Sequence, residues 1–249
     1  MPNSRNATRW RVLIVATLMA AGPAIAPHGQ TSPDTGDPGG RRVVAESRFD
    51  VTNPPLQAEL VLLVVDFPPG AWTSWHTHGG QAINLVVEGE ITLRHAGMEK
   101  PHRVGQGWTD STDQVHAAGN TGPGKAGLVT NFLLPEGALQ TTVVQDSPFE
   151  PTIVHEARFP LPALAAETEI VQQIVDLVPG WRTQRASVGF TAGIIMAGEV
   201  TYKIGAERKV YKAGEAWSAP AGTPVTEENR AAGTARVFRT DLPSRGTGR

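Results

Sequence analysis

The sequence predicts an all-β protein built as two tandem copies of one unit, each a β-sandwich or barrel. Three observations carry this. A shift of 110 residues lays the chain on itself: Glu46-Ser47-Arg48-Phe49 meets Glu156-Ala157-Arg158-Phe159, and Asp66 to Gly70 meets Asp176 to Gly180. After a one-residue deletion the offset becomes 109, so Gly89-Glu90 meets Gly198-Glu199, Trp108 meets Trp217 and Asn120 meets Asn229. Register held over so many landmarks marks a duplication. The apolar residues fall in short Val/Ile-rich runs, and 27 Gly and 20 Pro among 249 residues supply turns rather than long helices.

The elements follow in order. Residues 1–26 read as a cleaved export signal. Arg5, Arg9 and Arg11 precede an apolar stretch from Val12 to Ala21, and Ala24-Ile25-Ala26 is a small-x-small cleavage site. Ten apolar residues are too few to span a bilayer, so no membrane span is expected in the mature chain. Residues 27–42 are rich in Pro, Gly, Asp, Ser and Thr and read as a flexible tether. The first copy is placed at 43–135, with strands over Leu60 to Val65, Ile83 to Val87 and Leu128 to Leu134. Residues 136–152 join the copies. The second copy is placed at 153–240, with strands around Ile170 to Val175 and Ala192 to Met196, and 241–249 is a tail. The best helix candidate is Leu164 to Ile170.

Charge and cysteine content exclude several classes. Removing 1–26 takes three Arg and no acid, leaving 19 basic and 24 acidic residues and a formal charge of −5. No basic run remains, which argues against a nucleic-acid partner. With no Cys there is no disulfide and no thiol nucleophile. There is no G-x-S-x-G elbow and no Gly-rich phosphate loop.

The chemistry concentrates in the first copy. His76 and His78 are two apart, so on a strand both imidazoles face one side. His116 follows 38 residues later, where a neighbouring strand can bring it alongside. Imidazole suits Fe, Ni, Cu and Zn. The second copy has Ala186, Val188 and Val225 at these three places, so it holds no equivalent site. Trp72, Trp75 and Trp108 lie near the motif and are candidates for an aromatic pocket, although the echo of Trp108 in Trp217 favours ordinary packing. Asn120 and its echo Asn229 read as loop braces. His95, His102 and His155 have no partner at ligand spacing and read as surface residues. Glu88, Glu90 and Glu199 read as turn residues.

These landmarks resemble the two motifs of the cupin superfamily, and the duplication resembles its two-domain members, the bicupins, of the quercetin-dioxygenase-like kind. Gly70, His76, His78 and Gly89 match the first motif. Gly105, His116 and Asn120 match the second, with Ser111 and Asp113 where Pro and Gly are usual. In the second copy Gly214, Pro220, Gly222 and Asn229 match, with Val225 at the His position. The resemblance covers about residues 43–240. It implies two barrels of the double-stranded β-helix or jelly-roll type, and one divalent ion held by His76, His78 and His116. Fe is the metal most often implied, with Mn, Ni, Cu and Zn compatible. The family's Glu ligand falls on Ala82 or Ile83; Gln81 is the nearest polar residue, one place early. Gln81, Trp75, Trp108 and Asn120 are therefore the candidate outer-layer or pocket residues.

The function implied is a dioxygenase-like enzyme acting on a small organic substrate, with no general base identifiable. Alternatives are a non-oxidative metal-dependent isomerase, cyclase or decarboxylase, a non-catalytic binder of a small molecule or metal, and a vestigial site. A homodimer is implied by resemblance only, and the second copy is expected to act as a scaffold.

Overall fold

A computed structural model describes residues 39–243. The segment read as an export signal, most of the tether and most of the tail lie outside the described residues. The described residues form strands and turns without a helix. In chain order the strands are β1 Arg41–Thr52, β2 Ala58–Phe67, β3 Trp75–Thr77, β4 Gln81–Glu88, β5 Glu90–His95, β6 Met98–Arg103, β7 Gly107–Asp110, β8 His116–Gly119, β9 Ala126–Pro135 and β10 Thr142–Gln145. They continue as β11 Thr152–Pro160, β12 Glu167–Leu177, β13 Arg182–Ala186, β14 Gly189–Ala197, β15 Glu199–Ile204, β16 Glu207–Lys212, β17 Ala216–Ala219, β18 Pro224–Glu228 and β19 Ala235–Pro243. The helix expected over 164–170 is absent. Its second half enters β12, where Thr168 and Ile170 are buried, the period-2 pattern of a strand. Arg41 and Arg42, assigned to the tether by composition, begin β1.

Four antiparallel sheets make two barrels. The first barrel faces sheet β11-β2-β9-β4-β7 against sheet β10-β3-β8-β5-β6, and the second faces β1-β12-β19-β14-β17 against β13-β18-β15-β16. The first strand of each copy is thus exchanged. β1 runs along β12 of the second copy, with Phe49 opposite Ile170. β11, its counterpart, runs along β2 of the first, with Phe159 opposite Leu60.

Sheets β11-β2-β9-β4-β7 and β1-β12-β19-β14-β17 pack back to back. Leu60, Leu62, Ile83, Leu85 and Leu133 of one meet Ile170, Ile174, Ile194 and Phe238 of the other in one core. The alternate residues Val61, Leu63 and Val65 face the lumen of the first barrel. This explains the unbroken run Leu60 to Val65: a central strand buried on both faces needs no polar alternation. Polar links cross the same interface. Asn131 Nδ2 donates to Thr240 Oγ1 at 2.9 Å, and Gln172 Nε2 donates to the carbonyl of Ile83 at 2.9 Å. Asn131 and Thr240 are the same position in the two copies, so the barrels meet about an approximate two-fold axis.

Candidate metal centre

The histidines are brought together by local backbone geometry. Gly70 turns the chain with φ of +81°, a value that favours glycine. Its N–H then donates to the carbonyl of Asn120 at 2.9 Å, and the N–H of Asn120 donates back to Ala71 at 2.9 Å. These bonds lay β3 against β8 with His76 directly opposite His116. His78 follows two residues on, on the same face. The ring centroids stand 4.4 to 4.8 Å apart, and one nitrogen from each ring lies within 4.8 Å of the others. All three side chains are buried.

Each ring is oriented by a backbone carbonyl. His76 Nδ1 donates to Ser74 at 2.6 Å, His116 Nδ1 to Gln114 at 2.8 Å and His78 Nδ1 to Gln140 at 3.0 Å. A carbonyl can only accept, so Nδ1 carries the proton and the Nε2 lone pair is left free. Burial is the main cause that lowers the basicity of all three. His78, flanked also by His76 and His116, falls to about 3. At neutral pH the group is therefore three neutral imidazoles with converging lone pairs. That donor set fits a divalent ion, with Nδ1 anchored as ligating histidines commonly are.

The histidines stand in the wall of a cavity of about 460 Å³, within the size range of small-molecule sites. Leu63, Val65, Phe67, Leu128 and Phe132 from β2 and β9 give it an apolar side. Its rim comes from the segment joining the copies. β10 pairs with β3, placing Val143 opposite His76. The Ser74 hydroxyl donates to Glu150 at 2.5 Å, and the N–H of Ser147 donates to Ser74 Oγ at 2.9 Å. The N–H of Gly79 donates to Leu139 at 3.0 Å, and a Cβ on Gly79 would lie 2.1 Å from that carbonyl oxygen. The connection at 136–152 is thus part of the site.

A residue missed in the sequence completes the cavity. Ala82 is buried, on the face of β4 toward the lumen, and its cross-strand neighbour on β7 is Asp110. The Asp110 carboxylate lies 3.4 Å from His116 Nε2. It accepts from Asn84 Nδ2 at 2.8 Å and Trp108 Nε1 at 3.1 Å, while Thr130 Oγ1 donates to Asn84 Oδ1 at 2.7 Å. Burial raises its pKa to about 6, partly offset by the Trp108 and Asn84 donors. The signal was available only through strand pairing, because Asp110 is 28 residues from Ala82.

The other candidates divide. Trp108 lines the cavity and stacks on His102 with centroids 4.5 Å apart. Gln81 lies on the opposite face of β4 from Ala82 and Asn84, and Trp75 on the opposite face of β3 from His76; neither lines the cavity. Trp72 lies under the Arg94 guanidinium, 3.6 Å from its ring centre, and also stays outside. Asn120 is a brace: its Nδ2 donates to Phe67 at 2.8 Å and Gly124 at 2.7 Å, and its Oδ1 accepts from Gly122 at 2.9 Å. His102, expected at the surface, is buried, because Trp108 covers the inner face of the charged strand β6. His95 is half-buried, directly opposite His116, and receives a hydrogen bond from Gln114 at 2.7 Å.

Comparison with known proteins agrees with this geometry. Residues 63–131 match the cupin domain model Cupin_2. No curated protein sequence matches at a significant level. Among solved structures, AerE from Microcystis aeruginosa is 16% identical, with 89% of this chain aligned to 99% of that one at a TM-score of 0.50. An oxalate decarboxylase from Bacillus subtilis is 11% identical over 92% of this chain and 79% of its own, with a TM-score of 0.55. The vicilin of hazelnut, Corylus avellana, is 10% identical over 82% of both chains at 0.57. Another structure of the B. subtilis enzyme is described for its Mn(II) centres. At such identities the likeness concerns the fold. Residues 63–131 thus match a cupin domain, and the described residues share the two-barrel fold of these structures, with the three-histidine group in the first barrel.

Proposed function

We propose that the protein is an exported metal-dependent enzyme that acts on a small, partly apolar organic molecule in the first barrel, with oxygen-dependent chemistry as its reaction class. The observation that carries this reading is the convergence of three neutral imidazole lone pairs in the wall of a cavity of about 460 Å³ with an apolar side. A redox-active divalent ion held by His76, His78 and His116 would supply Lewis acidity and electron transfer to substrate and oxygen. Within the cavity, Leu63, Val65 and Phe132 exclude water from the substrate body. Gln140 and Thr141 at the rim offer polar groups that orient it. The carbonyls of Ser74, Gln114 and Gln140 keep the three rings from turning. Export is supported by residues 1–26, with their basic start and small-x-small end.

The test is oxygen uptake by the Fe(II)-loaded mature chain against a panel of enolic and catecholic substrates. Uptake with near-stoichiometric metal, both abolished in His76→Ala, is the expected result. Turnover that persists under strict anaerobiosis would move the protein to a non-oxidative class. Bound metal without turnover of any panel member would overturn the enzyme reading.

A further inference from the structure

We propose that Asp110 is the carboxylate ligand of the metal centre, delivered from β7 in place of the glutamate that β4 lacks at Ala82. This rests on the metal-binding reading above and adds to it the identity and origin of a fourth, anionic ligand.

Four observations converge on it. The first is position. Ala82 and Asp110 are directly paired across β4 and β7, so their Cβ atoms share a face at roughly 5 Å. A carboxylate on either strand reaches the same part of the lumen. The second is distance. The Asp110 oxygen is 3.4 Å from His116 Nε2, about the separation of two neighbouring ligand atoms on one ion with bonds of about 2.1 Å.

The third is charge. Asp110 is 3% exposed, and its donors are the neutral side chains of Asn84 and Trp108. Among the described residues no Lys or Arg forms an ion pair with it; the basic side chains close to it are the imidazoles of His116, His76 and His95. A buried carboxylate beside a group of imidazoles, with no Lys or Arg paired to it, lacks a cationic partner. A divalent cation at the histidines supplies the missing partner.

The fourth is the internal repeat. Residues that serve the frame persist in both copies, as Trp108/Trp217 and Asn120/Asn229 do. Residues that serve the metal do not. In the second barrel the Ala82–Asp110 pair becomes Thr191 opposite Ala219. The carboxylate is lost from the same barrel that lost the histidines, as a ligand would be and a structural acid need not be.

The experiment uses the full mature chain loaded with Co(II), whose visible spectrum reports ligand number and geometry. Asp110→Asn is close to isosteric and still accepts from Asn84 and Trp108. It is expected to lower Co(II) affinity by about 100-fold or more, beyond the roughly 10-fold to 100-fold loss of an outer-layer partner, and to change the spectrum. Adding Ala82→Glu to that variant returns a carboxylate to β4 and should recover affinity to within about 10-fold of wild type. Asp110→Ala, which copies the second barrel, serves if the Asn variant does not fold. An unchanged spectrum in either variant, with affinity within about 10-fold of wild type, would overturn the proposal and leave the three-histidine reading intact. Failure of the wild-type protein to bind Co(II) would instead overturn the metal reading itself, and Asp110's role with it.

Discussion

The two barrels share a frame and differ in how their interiors handle buried charge. In the second barrel the interior acids Glu227 and Asp241 each have a local partner. Tyr202 donates a short hydrogen bond to Glu227, and Arg239 forks onto Asp241 with N–O distances of 2.8 and 2.9 Å. Arg239 also lies 3.9 Å from Glu227. Tyr202 stacks on Trp217 with centroids 4.2 Å apart, inside a core where Val225 stands at the lost His position. In the first barrel the buried acid is Asp110, its hydrogen-bond donors are the neutral side chains of Asn84 and Trp108, and the space beside it is a cavity. The frame is indifferent to this. Asn229 repeats the brace of Asn120 bond for bond, donating to Leu177 and Gly233 and accepting from Ala231. A barrel of this type therefore does not need its metal site to close; it needs its lumen either self-neutralised or supplied with a cation.

The largest expected effect comes from separating the barrels. A chain ending at residue 151 loses β11, leaves β1 without β12, and exposes the core shared by Leu60, Ile83 and Phe238. It should give no soluble folded half by circular dichroism and size-exclusion chromatography. A well-folded, metal-binding fragment would show that the barrels are independent and that strand exchange is incidental.

A smaller effect tests the shared frame. Asn120→Ala and Asn229→Ala each remove a side chain that satisfies three buried backbone groups. Each should cost about 2–4 kcal/mol in denaturant unfolding, by a similar amount in the two barrels. Metal content per folded chain should stay near wild type in both. A selective loss of metal in Asn120→Ala would tie the brace to the site.

The smallest effect concerns pH. Burial, with Lys100 nearby, lowers the pKa of His102 from 6.5 to about 4. The unfolded chain then takes up this proton before the folded one does. The corresponding stability is complete above about 6.5 and is lost as pH falls toward about 4. His102→Tyr places there the residue that the second barrel carries as Tyr211, and should flatten the fall in denaturation midpoint of the metal-free protein between pH 7 and pH 5. The cavity histidines act in the same direction, so part of the slope should remain. An unchanged slope would mean that His102 does not contribute.

What could be read from the sequence was what repeats or recurs locally. The Val/Ile runs became β2, β4, β9, β12 and β14, and the i, i+2 pair His76/His78 met His116 as its spacing implied. What could not be read depended on which strands pair. β1 pairs with β12 and not with the adjacent β2, and nothing local to Glu46–Phe49 selects the distant strand. Asp110 became a site residue only because β7 lies beside β4. His102 sits in Met98-Glu99-Lys100-Pro101-His102-Arg103, which is polar enough to read as surface, yet Trp108 covers its inner face. The rim at 136–152 has no apolar periodicity, so composition marked it as a connection.

The exchange of first strands also sets an order of assembly. β1 leaves the ribosome ahead of the other described strands, but Ser47 meets Gln172 only 125 residues later. At roughly 5–20 residues per second that is a wait on the order of ten seconds. β2 meanwhile holds an open edge until β11 arrives. The first barrel can close once β11 is made, whereas β1 stays without its partner until β12 follows. The same topology that welds the finished barrels together leaves β1, made early, among the last strands to be paired.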